Sequence, residues 1–227
     1  MKVVKSLRFI AIGALAGFIF AGCSQTCDTA KSYKIGSYNI RLQYGDMGTP
    51  NAWNARKGEL LKLIKKMDLD VCGLQEVCPE QADFITNSLP QYVMVGKHRD
   101  DGVRGGEASP VMYLKDRFDL VKSGTFWLSE TPDVPGSISW GSACRRVCTW
   151  TILKDKRNGQ TFCFANTHTD HISALARKEG MLLIVKKMKE FAPEGTPLVF
   201  TGDHNCLESS EPAVAVSAFL KNAIHTV

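Results

Sequence analysis

Four apolar segments of the sequence end in side chains that can bind a metal ion or handle a proton, namely Asn39, Glu76, His168 and the pair Asp203 and Asn205. Each of them alone is explained as well by a turn or a helix cap, where polar side chains are common. If the four segments are strands that end at one edge of a sheet, however, these side chains meet in one cleft. Such a cleft offers carboxylate, amide and imidazole groups without a thiolate, a set that suits Mg²⁺, Mn²⁺ or Ca²⁺ better than zinc.

The elements that would bring these side chains together can be located from the apolar pattern. Apolar residues at helical spacing predict helices over 55–67 and around 175–188, and Pro79 suits the first turn of a third helix. The sequence therefore predicts an α/β or α+β domain with at least eight strands. The runs with the length and composition of strands are YKIGSYNI, VCGLQEV, YVMVG, SPVMYL, FDLVKSGTFWL, RVCTWTIL, TFCFANTH and LVFTGD.

Two segments rich in glycine, proline and charged residues, 99–106 and 131–141, predict long loops between these elements. Loops of this length often carry recognition in enzymes and otherwise serve as solvated connections. Several cationic side chains at the first loop could contact an anionic head group, although exposure to solvent explains them equally well. These side chains are Lys97, His98, Arg99 and Arg104.

Residues 1–22 have the composition of a bacterial lipoprotein signal peptide. Three basic residues precede an apolar run over 9–21 that is shorter than the roughly 20 residues needed to cross a bilayer. The tetrad at 20–23, Phe-Ala-Gly-Cys, is similar to a lipobox, with Phe in place of the usual Leu. An ordinary signal peptide that happens to precede a cysteine is the alternative.

Lipidation of Cys23 would make this residue the mature N-terminus. Residues 23–32 would then form a short polar tether, and the folded domain would occupy 33–227. The expected location is the cell envelope, in the outer membrane or at the cell surface, with the periplasmic side also possible. The membrane would be reached through the lipid anchor, and no obligate protein partner is predicted.

The charge of the chain argues against a protein that follows a nucleic acid duplex. The formal net charge is +5, but residues 1–22 contain three basic side chains and no acidic one, so +2 remains after cleavage. A duplex nuclease would gain from a concentrated surface of Lys and Arg along the phosphates.

The eight cysteines do not predict a disulfide framework. If Cys23 is lipidated, seven remain, and an odd number cannot all pair within one chain. Cys72, Cys148 and Cys163 lie within apolar strand-like runs, where a free thiol packs as a small apolar group. A bridge between Cys144 and Cys148 is possible in an oxidising compartment, although a strand would hold these two residues too far apart.

Seven motifs in order give the sequence a family resemblance. They are SYNIR (37–41), GLQEV (73–77), GEASPVMY (106–113), FWLSETP (126–132), RVCTW (146–150), NTHTDH (166–171) and TGDHN (201–205). Over residues 33 to about 207 the chain resembles the endonuclease/exonuclease/phosphatase family. The resemblance implies a four-layer αββα sandwich of two packed mixed β-sheets flanked by helices. It also implies hydrolysis of phosphoesters with the help of Mg²⁺ or Mn²⁺.

The resemblance further implies a role for each residue on one side of the reacting phosphate. Glu76 would hold the divalent ion, and Asn39 would help to position the ion and the phosphate. Asp203 would orient or deprotonate the attacking water. Asn205 would hold a phosphate oxygen in its transition-state position.

On the leaving-group side, the same resemblance assigns His168 as a donor to the phosphate or to the leaving group. Glu107 matches the acid that pairs with this histidine and keeps it charged, and Arg146 matches an arginine that contacts the phosphate. His204 replaces a usual apolar residue, and by strand alternation it points away from the site. These roles serve a reaction that needs stabilisation of a charged transition state and an aligned nucleophile.

Two motifs of the family do not occur after Asn205, namely an (I/L)DYIFV-like run and a final SDH. The resemblance therefore predicts a domain that is incomplete at the C-terminus and lacks the last strands of one sheet. Such a chain is expected to be weakly active or inactive, whereas a version extended by several tens of residues would be active. The leading function is a metal-dependent phosphoester hydrolase. The alternative is a surface protein that binds phosphorylated ligands and has lost turnover. The substrate stays open among nucleic acid, a phospholipid head group and an inositol or sugar phosphate.

Overall fold

The computed structural model describes residues 3–4 and 32–223, so Cys23 and the predicted tether up to residue 31 lie outside the described residues. All eight predicted strands and all three predicted helices are present, and a short fourth helix follows them. The strands are β1 (Val3–Val4), β2 (Ile35–Asn39), β3 (Val71–Gln75), β4 (Tyr92–Val95), β5 (Val111–Leu114), β6 (Phe118–Trp127), β7 (Val147–Asp155), β8 (Thr161–His168) and β9 (Leu198–Asp203). The helices are α1 (Trp53–Met67), α2 (Pro79–Ser88), α3 (Ala174–Phe191) and α4 (Glu211–Ser217).

The strands form two mixed sheets. The first sheet has the order β1-β2-β3-β5-β4, and the second has the order β6-β7-β8-β9. Each sheet contains one parallel pair, β2 with β3 and β8 with β9, while its other neighbours are antiparallel. A parallel pair needs a crossover connection, and α1 and α3 provide the two crossovers. In each pair both strands therefore deliver their carboxyl ends to the same edge.

Apolar clusters on the two faces of each sheet define four layers. The faces between the sheets are packed with large side chains, including Val71, Tyr113 and Phe164. On the outer face of the first sheet, residues of β3 and β5 pack against α1 and α2. On the outer face of the second sheet, residues of β7 and β8 pack against α3. This arrangement confirms the αββα sandwich expected from the sequence.

The cysteines among the described residues form no disulfide, and most of them are buried among apolar side chains. Cys72, Cys148 and Cys163 are fully buried and free, and Cys144 is free as well, so the possible Cys144–Cys148 bridge is not formed. Burial raises the pKa of the Cys72 and Cys163 thiols to about 12. Among the described residues, no helix is long and apolar enough to cross a membrane.

Candidate active site

The polar residues at the ends of the two parallel pairs meet between the sheets. The side-chain amide of Asn39, at the end of β2, donates to Glu76 Oε1 at 2.7 Å and to Asp203 Oδ2 at 2.9 Å. His168 ends β8 beside Asp203 in the parallel register, and its Nε2 lies 3.8 Å from Asp203 Oδ2. The structure thus brings together the strand-end side chains that the sequence singled out.

Glu76 reaches the site because its backbone departs from the strand. Gln75, the last residue of β3, faces the space between the sheets, so regular alternation would turn Glu76 outward. Instead, Glu76 has a left-handed backbone with a φ of +62°, which directs its carboxylate back toward Asn39. Leu42 N then donates to Glu76 Oε2 at 2.8 Å. A non-glycine residue pays about 1–2 kcal/mol for this conformation.

Asp203 is held as a carboxylate. Its Oδ2 accepts the Asn39 amide, and its Oδ1 accepts the backbone N–H of Asn205 at 3.1 Å. Burial raises the pKa of Asp203, but the hydrogen bonds from Asn39 and Asn205 act in the opposite direction, and the net shift is downward. His204 lies on the other side of β9, where its ring stacks on Phe200 with centroids 4.7 Å apart. This orientation confirms that His204 points away from the site.

The hydrogen bonds of Asn205 define the state of His168. The Asn205 Nδ2 group donates to Thr169 O at 3.0 Å, so this atom is the amide nitrogen, and it also lies 2.9 Å from His168 Nε2. His168 Nε2 must therefore accept, which leaves a neutral ring with its proton on Nδ1. Burial, followed by the charge of Arg146, lowers the pKa of His168 to about 4. The expectation of a charged His168 is wrong for this structure, because the ring is desolvated and accepts a hydrogen bond.

Glu107 has a different partner from the expected one. Its carboxylate forms a two-point ion pair with Arg99, with N–O distances of 2.9 and 3.0 Å. The loop between β4 and β5 folds back so that Arg99 N also donates to Glu107 O, which places the two side chains next to each other. The predicted pairing of Glu107 with His168 is therefore corrected. Burial raises the pKa of Glu107, and the charge of Arg99 offsets this only in part.

Arg146 is buried beside the site and is held by the segment that follows β8. Its Nη2 donates to His171 Nδ1 at 3.0 Å, and its Nε lies 3.8 Å from Asp170 Oδ2. An arginine can only donate, so His171 accepts through Nδ1. Burial and the charge of Arg99 lower the pKa of Arg146. Asp170 and His171 belong to the NTHTDH motif, where both a structural role and direct chemistry were open, but nothing in the sequence indicated that His171 contacts Arg146.

The donor atoms present fit a hard divalent ion. Glu76 and Asp203 supply two carboxylates that both accept hydrogen bonds from the side-chain amide of Asn39. Within the described part of the chain, no three or more His, Cys, Asp or Glu side chains are grouped so that they could hold a metal ion together. Mg²⁺ keeps several waters and binds through one or two carboxylates, whereas a zinc site uses three or four protein ligands. Asn39 Oδ1 accepts Arg41 N at 2.9 Å. In this arrangement Asn39 holds the two carboxylates by donation, instead of offering its oxygen to the ion.

A buried polar network lies directly below these residues, and sequence reasoning missed it. Gln75 Nε2 donates to Asn166 Oδ1 at 2.7 Å and lies 3.2 Å from Ser37 Oγ. Thr201 Oγ1 shares its single proton between the same Asn166 oxygen, at 3.2 Å, and Ala165 O, at 3.3 Å. Gly73 makes the approach possible, because a Cβ there would lie 2.2 Å from Asn166 Oδ1. The available signal was polar residues at inward-facing positions of otherwise apolar strands.

Solved structures share this fold at substantial sequence identity. A mannosyl-6-phosphatase from Bacteroides thetaiotaomicron is 38% identical with a TM-score of 0.78, and the match covers 81% of this chain and 69% of that chain. An endonuclease/exonuclease/phosphatase from Bacteroides vulgatus is also 38% identical, with a TM-score of 0.77 and coverage of 80% and 69%.

Comparison of sequences leads to the same family. The CCR4-Not complex 3'-5'-exoribonuclease subunit Ccr4 of Mycosarcoma maydis is 25% identical over 194 residues, which is 74% of this chain and 28% of that protein. The chain spans no more than 28% of the length of the curated relatives it matches. Residues 36–213 match the sequence profile of the Endonuclease/Exonuclease/phosphatase family. The chain therefore belongs to the endonuclease/exonuclease/phosphatase family.

Proposed function

We propose that this protein is a divalent-metal-dependent phosphoester hydrolase anchored at the cell envelope through Cys23. The observation that carries the proposal is the convergence of Glu76 and Asp203 on the amide of Asn39, with His168 beside them. Membership of the family supports phosphoester hydrolysis. Metal dependence and anchoring through Cys23 are proposed in addition to phosphoester hydrolysis.

Different residues of the site have different roles in the proposed reaction at the phosphorus atom. Bound Mg²⁺ or Mn²⁺ would supply positive charge to the phosphate oxygens, and Glu76 with Asp203 would hold it. Asp203, kept ionised, would accept a proton from the attacking water as the new P–O bond forms. The bond from phosphorus to the leaving-group oxygen would break in the same step, and that oxygen would take up a proton from solvent water. Both N–H groups of the Asn205 side-chain amide already donate, one to His168 and one to Thr169. An entering phosphate oxygen would replace one of these two acceptors and receive that hydrogen bond.

A sugar phosphate is the first substrate class to test. The relative named as a mannosyl-6-phosphatase is 38% identical to this chain. The formal charge of +2 that remains after removal of residues 1–22 gives little support to a substrate with a long run of phosphates. An inositol phosphate, a phospholipid head group and a nucleic acid complete the set for comparison.

The test is hydrolysis by the purified full chain with Mg²⁺ or Mn²⁺, with and without EDTA. Substrates are a hexose 6-phosphate, an inositol phosphate, phospholipid vesicles and plasmid DNA. We expect metal-dependent release of phosphate that falls about 10²- to 10⁴-fold in Asp203→Asn, because a general base contributes about this much to a reaction rate. Asp119→Asn is the matched control, since Asp119 is an exposed residue at the other end of the molecule.

Three results would count against the proposal. Hydrolysis that EDTA leaves unchanged would exclude the metal, and equal rates in Asp203→Asn and wild type would exclude the site. A chain that binds Mg²⁺ and a sugar phosphate in calorimetry without consuming the phosphate would be the binding protein considered as the alternative. The weak activity predicted for this chain stays a prediction that the same assay measures.

A further inference from the structure

The buried network below the site connects the strands that carry the site residues. Ser37, Asn166 and Thr201 each lie two residues before a site residue on the same face of the strand, and Gln75 lies immediately before Glu76. One polar layer therefore spans the four strands β2, β3, β8 and β9. Site residues from both sheets lie directly above it.

Asn166 joins the two sheets and has all its polar groups satisfied. From β8 of the second sheet, its Nδ2 donates to two backbone oxygens of the first sheet, Leu74 O at 2.7 Å and Pro110 O at 3.0 Å. Because these partners are acceptors, the amide orientation is fixed. Asn166 Oδ1 then accepts from Gln75 of the first sheet and from Thr201 of the second. Asn166 and Gln75 are almost completely buried.

Stability alone does not require such a layer. Burying amides and hydroxyls costs free energy that their hydrogen bonds only offset, and apolar side chains of the same shape are often as stable or more stable. Much of the rest of the space between the sheets is filled with apolar residues such as Val71 and Phe164. Polar residues differ from apolar ones in directionality, since a hydrogen bond fixes distance and angle whereas apolar contacts allow sliding.

We propose that Gln75, Asn166 and Thr201 are positioning residues that set the spacing between the two halves of the active site. One half is Asn39 with Glu76 on the first sheet, and the other is His168 with Asp203 on the second. The inference rests on the proposed function, because it takes this cleft as the place of catalysis. These three residues would act through Asn39, Glu76, His168 and Asp203 rather than through contact with the substrate.

The test compares near-isosteric variants that remove hydrogen bonds and keep volume. Thr201→Val deletes the hydroxyl that donates to Asn166 Oδ1, and Gln75→Met deletes the amide that links β3 to β8. Thr151→Val is the matched control, because Thr151 is fully buried on β7 and its hydroxyl has no hydrogen-bond partner. Each full chain is measured for kcat and KM with Mg²⁺, for thermal midpoint, and for amide hydrogen exchange at the ends of β2, β3, β8 and β9.

We expect kcat to fall about 10- to 100-fold in Thr201→Val and Gln75→Met, as for other residues that orient the groups at a catalytic centre. KM and the thermal midpoint should stay close to those of Thr151→Val, and exchange should become faster at the strand ends. Unchanged kcat and exchange in the folded variants would overturn the inference. Decreases in kcat that parallel the decrease in thermal midpoint across all three variants would also overturn it.

The outcome is separable from that of the proposed function. If the wild-type chain hydrolyses nothing, the proposed function fails, and exchange at the four strand ends alone decides the positioning role. If Gln75→Met does not fold, Thr201→Val decides. Faster exchange limited to the strand ends supports the inference in either case, and exchange equal to that of Thr151→Val contradicts it.

Discussion

Glu76 and Asn205 both adopt left-handed backbone conformations, with φ values of +62° and +47°, and both lie at the ends of strands that form the cleft. Asparagine tolerates this conformation well, whereas glutamate does so less often. The strain at Glu76 allows two successive residues, Gln75 and Glu76, to face the same side. Gln75 belongs to the buried network, and Glu76 belongs to the site. Local backbone rules are broken here at a functional position, where such exceptions concentrate.

Asp170 provides a prediction about pH at the residue scale. Its carboxylate accepts the backbone N–H groups of Ile172, Ser173 and Ala143 at 2.7–3.0 Å. Burial raises the pKa of Asp170, but these hydrogen bonds lower it more, to about 2, from an ordinary value of 3.8. The folded state thus favours the ionised form. The resulting stabilisation, about 2 kcal/mol, is present above pH 4 and is lost as pH falls from about 4 to about 2.

We therefore expect Asp170→Asn to unfold with a free energy up to about 2 kcal/mol lower than wild type at pH 7. The difference should shrink as the pH approaches 2, because wild-type Asp170 then becomes protonated too. Urea unfolding at several pH values measures it, with Asp119→Asn as the exposed control. A difference that is the same at pH 7 and near pH 2 would show that the charge of Asp170 is not responsible.

The place of an individual residue in the site could be predicted from the sequence where the residue lies at the end of a strand, and could not be predicted where it lies in a loop. Asn39, His168 and Asp203 follow apolar strands, so their shared edge could be inferred from the pattern alone. The partners Arg99 and His171 lie in segments whose course depends on tertiary folding. No spacing rule of the sequence connects Arg99 to Glu107 or His171 to Arg146. The charged state expected for His168 failed for the same reason, because desolvation is a property of the folded surroundings.

At the scale of elements, β3 of the first sheet comes very close to β8 of the second sheet at Gly73. Gly73 permits it, since a Cβ there would meet Asn166 Oδ1 at 2.2 Å and Thr201 Oγ1 at 2.5 Å. Both of these atoms belong to side chains of the buried network. Neither can therefore move aside as the end of a flexible exposed side chain could. The separation of the sheets at this level is therefore limited by backbone and amide atoms.

Gly73→Ala should destabilise the protein by about 1–3 kcal/mol, the usual cost of overpacking a tight core. It should also reduce hydrolysis, because relieving the clash pushes the two halves of the site apart. Gly58→Ala is the matched control in helix α1, where an added Cβ meets nothing within 4 Å. That change should be neutral or stabilise by up to about 1 kcal/mol. Urea unfolding of both variants measures the difference, and equal stabilities would contradict the steric argument.

The elements themselves were largely predictable because their patterns are strong. Eight apolar runs matched β2 to β9, and α1 and α3 show apolar residues at helical spacing. The short helix α4 was missed, since seven residues give too few turns for a periodic pattern to stand out. The pairing of the sheets and the crossing of β3 over β8 depend on contacts between residues far apart in sequence. These features could be expected only from the family resemblance.

At the scale of the whole molecule, the proposed anchor would set where the domain acts. Cys23 lies outside the described residues, and Ser32 is the point where the described domain begins. A tether of about nine residues in extended form reaches roughly 30 Å, on the basis of about 3.3 Å per residue. The domain would therefore act close to the membrane surface.

In a bacterial host that processes lipoproteins, the full chain should partition into the detergent phase and carry acyl groups on its first mature residue. Cys23→Ser should move it to the aqueous phase, because the thiol is the proposed site of lipid attachment. Cys27→Ser, four residues further along the same segment, is the control and should remain with detergent. Mass spectrometry of the mature N-terminus together with phase partition measures this. Equal partition of Cys23→Ser and wild type would refute the anchor.

The two parallel strand pairs, with their crossover helices, have the same plan on opposite sides of the cleft. Residues 35–76 supply one half of the site, and residues 161–205 supply the other. Because the halves contact each other through their inner faces, we expect one half to be exchangeable with the matching half of a relative. A chimera that takes one half from a relative should keep a working cleft when Gly73 and Asn166 come as a compatible pair, and should lose it when they do not.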